Sequence, residues 1–200
     1  RGPTLLRFCW GGYVAAFIGA AGIVELLRDP SGALPCYYAA TPDATLFASD
    51  VELLLASGHV RPAIDTDALA RHLWRGNLPA PQPVLRGIVE LLPGFAVEIL
   101  DRVEAQRPRW SPWDHIYASD AERADTVERL RRVVNQGVLG WTSMDTRLLL
   151  SVSGGLDSAI VAACLSRAGR DVQCLTLYGD DPSGDERCYA RALCRHLGLP

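Results

Sequence analysis

The sequence predicts an α+β region followed by an α/β region, and three observations carry that division. Across residues 1–104, short apolar runs are separated by Gly, Pro and Asp clusters, the punctuation of an antiparallel β region. Residues 105–119 hold two prolines and lose all periodicity, which marks a connector. From 120 to 200 helical spacing alternates with two short, continuous apolar runs, the mark of a βαβ unit and a parallel sheet.

The elements follow in order. YVAAFI, between Gly12 and Gly19, has strand-forming residues, reverses through Gly19-Ala20-Ala21-Gly22 and resumes as IVELL, which predicts a hairpin. Asp29-Pro30-Ser31-Gly32 suits a type I turn, and PCYYAA and TLFAS read as two strands around Thr41-Pro42-Asp43. A short helix is expected from Asp50 to Ala56. A second, capped by Asp65 or Thr66, runs to Trp74 with Leu69, Leu73 and Trp74 on its apolar side. After the proline-rich stretch 78–83, LRGIVELL and FAVEIL around Pro93-Gly94 predict a further hairpin that closes the β region. Trp110 and Trp113 are expected to anchor the connector. A helix over 120–138 places Val127, Leu130, Val134 and Val138 on one side. Strands are expected at 147–152 and 172–178. Between them lies a helix, 157–167, with Ile160, Val161, Cys164 and Leu165 inward, and a last helix runs from Asp185 to His196 and stops at Gly198.

Composition narrows the function. The 200 residues are 48% apolar, enough for a core, and their net charge of −3 comes without a basic cluster, which argues against a nucleic-acid binder. The most apolar window, 13–27, is shorter than a bilayer span and is broken by Gly19, Gly22 and Glu25, so no membrane partner is expected. Cys9, Cys36, Cys164, Cys174, Cys188 and Cys194 form no metal or disulfide pattern and read as reduced thiols of a cytoplasmic protein. His59, His72, His115 and His196 show no ligand spacing. The opening Arg1-Gly2-Pro3 reads as a cut start, and the sequence assigns no oligomeric state.

The sharp signal is Ser153-Gly154-Gly155-Leu156-Asp157-Ser158, between a buried strand and the helix after it. A turn there aims free amides and the positive end of the helix dipole at one point, an anion site. Gly154 and Gly155 admit a phosphate without Cβ interference, and the hydroxyls of Ser153 and Ser158 can donate to it. A carboxylate beside a phosphate makes sense where Mg²⁺ lies between them, which assigns Asp157 a metal-binding and catalytic role. A Walker A loop would need a lysine that is absent here.

SGGxDS at the end of a first parallel strand resembles the PP-loop of N-type ATP pyrophosphatases, which split ATP between its α and β phosphates. The surroundings, LTLYG and then GDDPSGDERCYARALCRHLGLP, resemble the asparagine synthetase family. That resemblance implies an adenine nucleotide α hydrolase-like PP-loop domain using ATP and Mg²⁺, with adenine and ribose near the backbone of Leu177, Tyr178 and Gly179. Asp185 and Glu186 are read as helix-capping acids, with the alternative that they face the site.

The front half resembles the family's glutamine amidotransferase domain, of the N-terminal-nucleophile type, through LLRDPSGALPCYYA, LFASDVELLLASG and LRGIVELLPGFAVEI. Arg28, Asp29, Gly32, Pro35, Ser49, Pro93 and Gly94 are read there as scaffold. Such a glutaminase uses an N-terminal cysteine and an Asn-Gly pair. Cys9 is internal and is given a core role, and Gly76-Asn77 has the wrong order. The resemblance thus implies a ligase that activates a small-molecule or peptide carboxylate as an acyl-adenylate, with glutamine as a candidate ammonia source. A lasso-peptide cyclase and a degenerate nucleotide-binding homologue are the alternatives, and the 200 residues alone are expected to be inactive.

Overall fold

The computed structural model describes residues 2–9, 11–76, 78, 80–100, 103, 105–116 and 123–200. Asn77 and the expected helix start at Asp120 lie outside the described residues. The chain divides into two compact units, Arg1–Tyr117 and Ala118–Pro200.

The first unit holds α1 (Gly2–Phe8), β1 (Val14–Ile18), β2 (Val24–Arg28), β3 (Tyr37–Ala40), β4 (Thr45–Ala48), α2 (Val51–Ala56), α3 (Thr66–Arg75), β5 (Val89–Glu90), β6 (Phe95–Ile99) and β7 (Arg107–Pro108). Every pairing among them is antiparallel, in one sheet of order β1-β2-β6-β7 and another of order β4-β3-β5. The expected β1–β2 hairpin is present, with Val14 opposite Arg28 and Ile18 opposite Val24. Leu26 and Val97 from the first sheet meet Cys36 and Tyr38 from the second in one buried cluster with Leu91, so apolar alternation on both sheets builds a shared core.

The second expected hairpin is absent. β5 pairs with β3 and β6 pairs with β2, so Pro93-Gly94 carries the chain from one sheet to the other. Backbone bonding explains this. The Gly94 amide reaches the carbonyls of Arg28 and Asp29, both at 3.2 Å, and the Gly94 carbonyl accepts from Arg109 and Trp110 at 2.8 and 3.0 Å. β7 then extends the first sheet beyond the point where the sequence suggested it closed.

Asp65 caps α3 as expected, onto the Ala68 amide, and Asp50 caps α2 onto the Glu52 amide. The inward face of α3 differs from the reading. Ala68 is its buried residue, whereas Leu73 and Trp74 are exposed, Trp74 at 87%. Trp110 packs its ring 5.6 Å from that of His115, while Trp113 points to solvent.

The second unit holds α4 (Arg123–Trp141), β8 (Arg147–Ser151), α5 (Leu156–Arg167), β9 (Asp171–Leu175) and α6 (Arg187–Leu197). β8 and β9 are parallel, with Leu148 opposite Val172 and Ser151 opposite Leu175, as the βαβ reading requires. Val152, Ala162, Leu165, Val172 and Ala190 are buried. β8 nevertheless alternates, its Leu149 exposed between half-buried Leu148 and Leu150. Ile160 also lies outward, and Ala162 takes the inward place the spacing had given it. On α4 the expected apolar side is only partly covered, with Leu130 at 62% exposure.

The Ser166 hydroxyl donates to the Leu197 carbonyl at 2.9 Å and ties α5 to the end of α6. Gly198, at φ +67°, ends α6 in the left-handed conformation glycine favours. No helix among the described residues is long and apolar enough to cross a membrane.

Candidate nucleotide site at a strand-to-helix loop

The loop 153–158 begins where β8 gives out. The ladder continues one step past the strand through the Val152 amide, which donates to the Leu175 carbonyl at 2.8 Å. The Thr176 hydroxyl donates back to the Val152 carbonyl at 2.9 Å. That reciprocal pair holds the loop and the segment 177–179 side by side at the carboxyl edge of the sheet, the edge where open α/β sheets bind ligands.

Gly155 is the N-cap of α5, in extended conformation and without a side-chain cap. The helix's first internal bond runs from the Ala159 amide to the Gly155 carbonyl at 3.4 Å. The amides of Leu156, Asp157 and Ser158 precede it, so the helix offers them no carbonyl. They sit with the positive end of the dipole, and Asp157 is the acid of the first turn.

The two serines close the loop on itself. The Ser153 amide donates to the Ser158 hydroxyl at 3.2 Å, and the Gly155 amide donates to the Ser153 hydroxyl at 3.1 Å. The hydroxyl oxygens lie 3.2 Å apart, and the Ser158 hydroxyl donates to the Gly155 carbonyl at 3.2 Å. The two hydroxyls therefore occupy the amides of Ser153 and Gly155, which rotation of the two side chains would free.

Gly154 and Gly155 serve by absence of volume. Neither is among the glycines with positive φ. A Cβ on Gly154 would stand 3.2 Å from Cβ and Cδ2 of Tyr189 and 3.4 Å from a carboxylate oxygen of Glu186. The first turn of α6 therefore packs directly against the loop backbone, a contact that sequence spacing had not disclosed.

The two acids at that turn have separate jobs. Asp185 accepts from the Arg187 amide at 3.1 Å and holds the Arg187 guanidinium through bonds of 2.8 and 2.6 Å, which lower its carboxyl pKa to about 2. Glu186 occupies the N-cap position but makes no capping bond, and faces Gly154 instead. The capping reading thus holds for Asp185 and fails for Glu186. Arg187 in turn lies over the Tyr178 ring, 3.6 Å from its centroid. Leu177 and Tyr178 are exposed, and Gly179 has open space around it.

Elsewhere among the described residues no comparable arrangement is present. Among the described residues no group of three His, Cys, Asp or Glu side chains could hold a metal ion. Cys9 is exposed, contrary to the core role read from its aromatic neighbours. Cys36 is the buried thiol, pushed up to about 11 chiefly by burial. An open groove of about 620 Å³ lies between α4 and α5, lined by Val127, Leu130, Ile160 and Cys164 with arginines at its rim. It includes no loop residue.

Comparison with known proteins finds two family matches along the chain. Residues 2–110 match the glutamine amidotransferase domain family, and residues 129–200 match the asparagine synthase family. The chain is 25% identical over 138 residues to asparagine synthetase [glutamine-hydrolyzing] 3 of Bacillus subtilis, a match covering 68% of this chain and 22% of that protein. It is 37% identical over 67 residues to the tRNA-specific 2-thiouridylase MnmA of Agrobacterium fabrum, covering 28% of this chain and 17% of that protein. The chain thus spans less than a quarter of the length of these relatives. With more than half its residues in the amidotransferase match and the asparagine synthase match beyond it, the chain belongs to the asparagine synthetase family and carries a glutamine amidotransferase domain.

Proposed function

We propose that the loop 153–158 binds the phosphates of ATP, and that the whole protein is an ATP-dependent amide ligase of the glutamine-hydrolysing asparagine synthase type. The observation that carries this reading is the set of helix-start amides at Leu156, Asp157 and Ser158, beside two exposed glycines at the carboxyl edge of a parallel strand. In the proposed reaction a substrate carboxylate oxygen attacks the α-phosphorus, the bond to the β-phosphate breaks, and pyrophosphate leaves. An amine or ammonia nitrogen then attacks the acyl carbon of the acyl-adenylate, and AMP departs as the nitrogen loses a proton.

The loop's part is electrostatic. Amides already aimed at the pyrophosphate position need no rearrangement as its charge grows, and the two serine hydroxyls turn outward to donate. The donor chemistry fits Mg²⁺, since one exposed carboxylate, Asp157, suits an ion that takes its other ligands from phosphate oxygens and water. Bound there, Mg²⁺ would neutralise phosphate charge.

The test is substrate-dependent ATP–pyrophosphate exchange in the whole protein, supplied with aspartate or with a peptide carboxylate. Exchange that disappears in Asp157→Ala supports the reading, and the acid that sustains it separates an asparagine synthase from a peptide cyclase. Binding of ATP without exchange for any acid would leave only a nucleotide-binding homologue.

A further inference from the structure

The last turns of α6 bring two thiols together. Strand alternation puts Val172 and Cys174 on one face of β9, and helical spacing puts Ala190 and Cys194 on one face of α6. Val172 and Ala190 are buried, and both cysteines are half-buried free thiols. The backbone fixes how the two elements meet. The Leu199 amide donates to the Cys194 carbonyl at 2.9 Å, and the Cys174 amide donates to the Pro200 carbonyl at 3.3 Å, so Leu199 and Pro200 bridge one cysteine to the other. The Ser166 hydroxyl holds the same end of α6 through the Leu197 carbonyl at 2.9 Å.

Within that frame the side chains of Cys174 and Cys194 are hydrogen-bonded to each other. Burial first, and then this contact, push the Cys174 thiol up to about 11. The phosphate-binding reading uses neither thiol.

We infer that Cys174 and Cys194 are a disulfide-forming pair, oxidised by a low-molecular-weight disulfide of the glutathione type, and that closing the bond staples α6 to β9. The Cys194 thiol gives its proton to solvent and its sulfur attacks glutathione disulfide. The sulfur–sulfur bond of the oxidant breaks, one glutathione leaves and takes up a proton, and Cys194 carries the other as a mixed disulfide. The Cys174 sulfur then attacks that of Cys194, and the second glutathione leaves with the Cys174 proton. Two protein thiols are oxidised and one disulfide is reduced to two thiols. Cys194 reacts first because Cys174 is the thiol held protonated. The closed bond constrains the helix whose first turn packs on Gly154.

The experiment is incubation of the folded 200-residue chain with glutathione disulfide, followed by non-reducing digestion and mass mapping. A peptide pair joined through Cys174 and Cys194 is expected, with exposed Cys9 and Cys188 carrying glutathione singly. Hydrogen exchange of the α6 amides should slow at least about tenfold on oxidation and recover on reduction. Cys174→Ser removes the second attacker and should stop the reaction at a glutathione adduct on Cys194. Cys194→Ser should leave Cys174 unmodified. Free thiols or separate adducts at both positions of the wild-type chain, or a link from either to another cysteine, would overturn the pair. An adduct on Cys174 in Cys194→Ser, with none on Cys194 in Cys174→Ser, would overturn the order of attack.

Discussion

Two polar clusters in this chain are built from the same materials and do opposite things. The turn Asp29-Pro30-Ser31-Gly32 and the loop 153–158 each combine an aspartate, serine hydroxyls and glycine. In the first, Asp29 is wholly buried, and one carboxylate oxygen takes the amides of Ser31 and Gly32 at 2.8 and 3.2 Å together with the Ser31 hydroxyl. The other takes the Tyr13 amide at 3.1 Å. Arg28, equally buried, donates to the carbonyls of Leu34, Gly32 and Leu91 and pairs with Glu90 at 2.8 Å. Every charge there is answered from within. In the second cluster Asp157 is exposed, and three helix amides have no carbonyl in reach of the ladder. A saturated, buried cluster has nothing left to offer a ligand; an unsaturated, exposed one keeps donors free for the ligand proposed above.

The contrast breaks most visibly at Arg28. Arg28→Met should cost about 3–5 kcal/mol by urea unfolding, because it strands Glu90, the buried Leu91 carbonyl and the part-buried carbonyls of Gly32 and Leu34. Gly32→Ala comes next. At φ +65°, with its Cβ only 2.6 Å from Cγ of Pro93, it should lose about 1–3 kcal/mol.

Gly154→Ala should behave the other way. Its site is exposed and its new Cβ crowds only Tyr189 and Glu186, so unfolding should shift by less than about 1 kcal/mol. Tripolyphosphate binding should nonetheless fall at least about tenfold as the loop backbone is pushed from its place. A variant that lost stability but kept the ligand would reverse the roles assigned to the two clusters.

The smallest effects concern titration. Asp185 has its pKa lowered to about 2, so its pair with Arg187 contributes fully above the ordinary carboxylate value of 3.8 and is lost as pH falls through about 2. The Tyr178 environment, followed by its aromatic proton shifts, should therefore be constant from pH 5 to 8. Cys36 is shifted upward to about 11, so at pH 8 a maleimide should label exposed Cys9 and Cys188 and spare it in the folded chain.

Much of this was written locally in the sequence. Alternation, turn residues and the change of period near 120 disclosed both classes of sheet, and SGGLDS disclosed the loop, because each depends on neighbours a few residues apart. What spacing could not disclose were choices made by distant partners. Pro93-Gly94 signals a turn, but the bonds of Gly94 to Arg28 and Asp29 decide that it joins two sheets. Leu73 and Trp74 fall on a helical stripe, yet Ala68 is what that helix buries. Likewise Glu186 has the place of a capping acid, and only the approach of α6 to Gly154 turns it toward the loop. The contact of Arg187 over Tyr178 bridges the connection between β9 and α6 and has no periodic signature at all.

Main-chain amides of the loop are proposed to hold the triphosphate, and amide proton–nitrogen NMR of the chain titrated with MgATP reads those amides one by one. The expected result is saturable shifts at Gly154, Leu156, Asp157 and Ser158, with Ser31 and Gly32 unmoved. Loop amides that stay in place at saturating MgATP would contradict it.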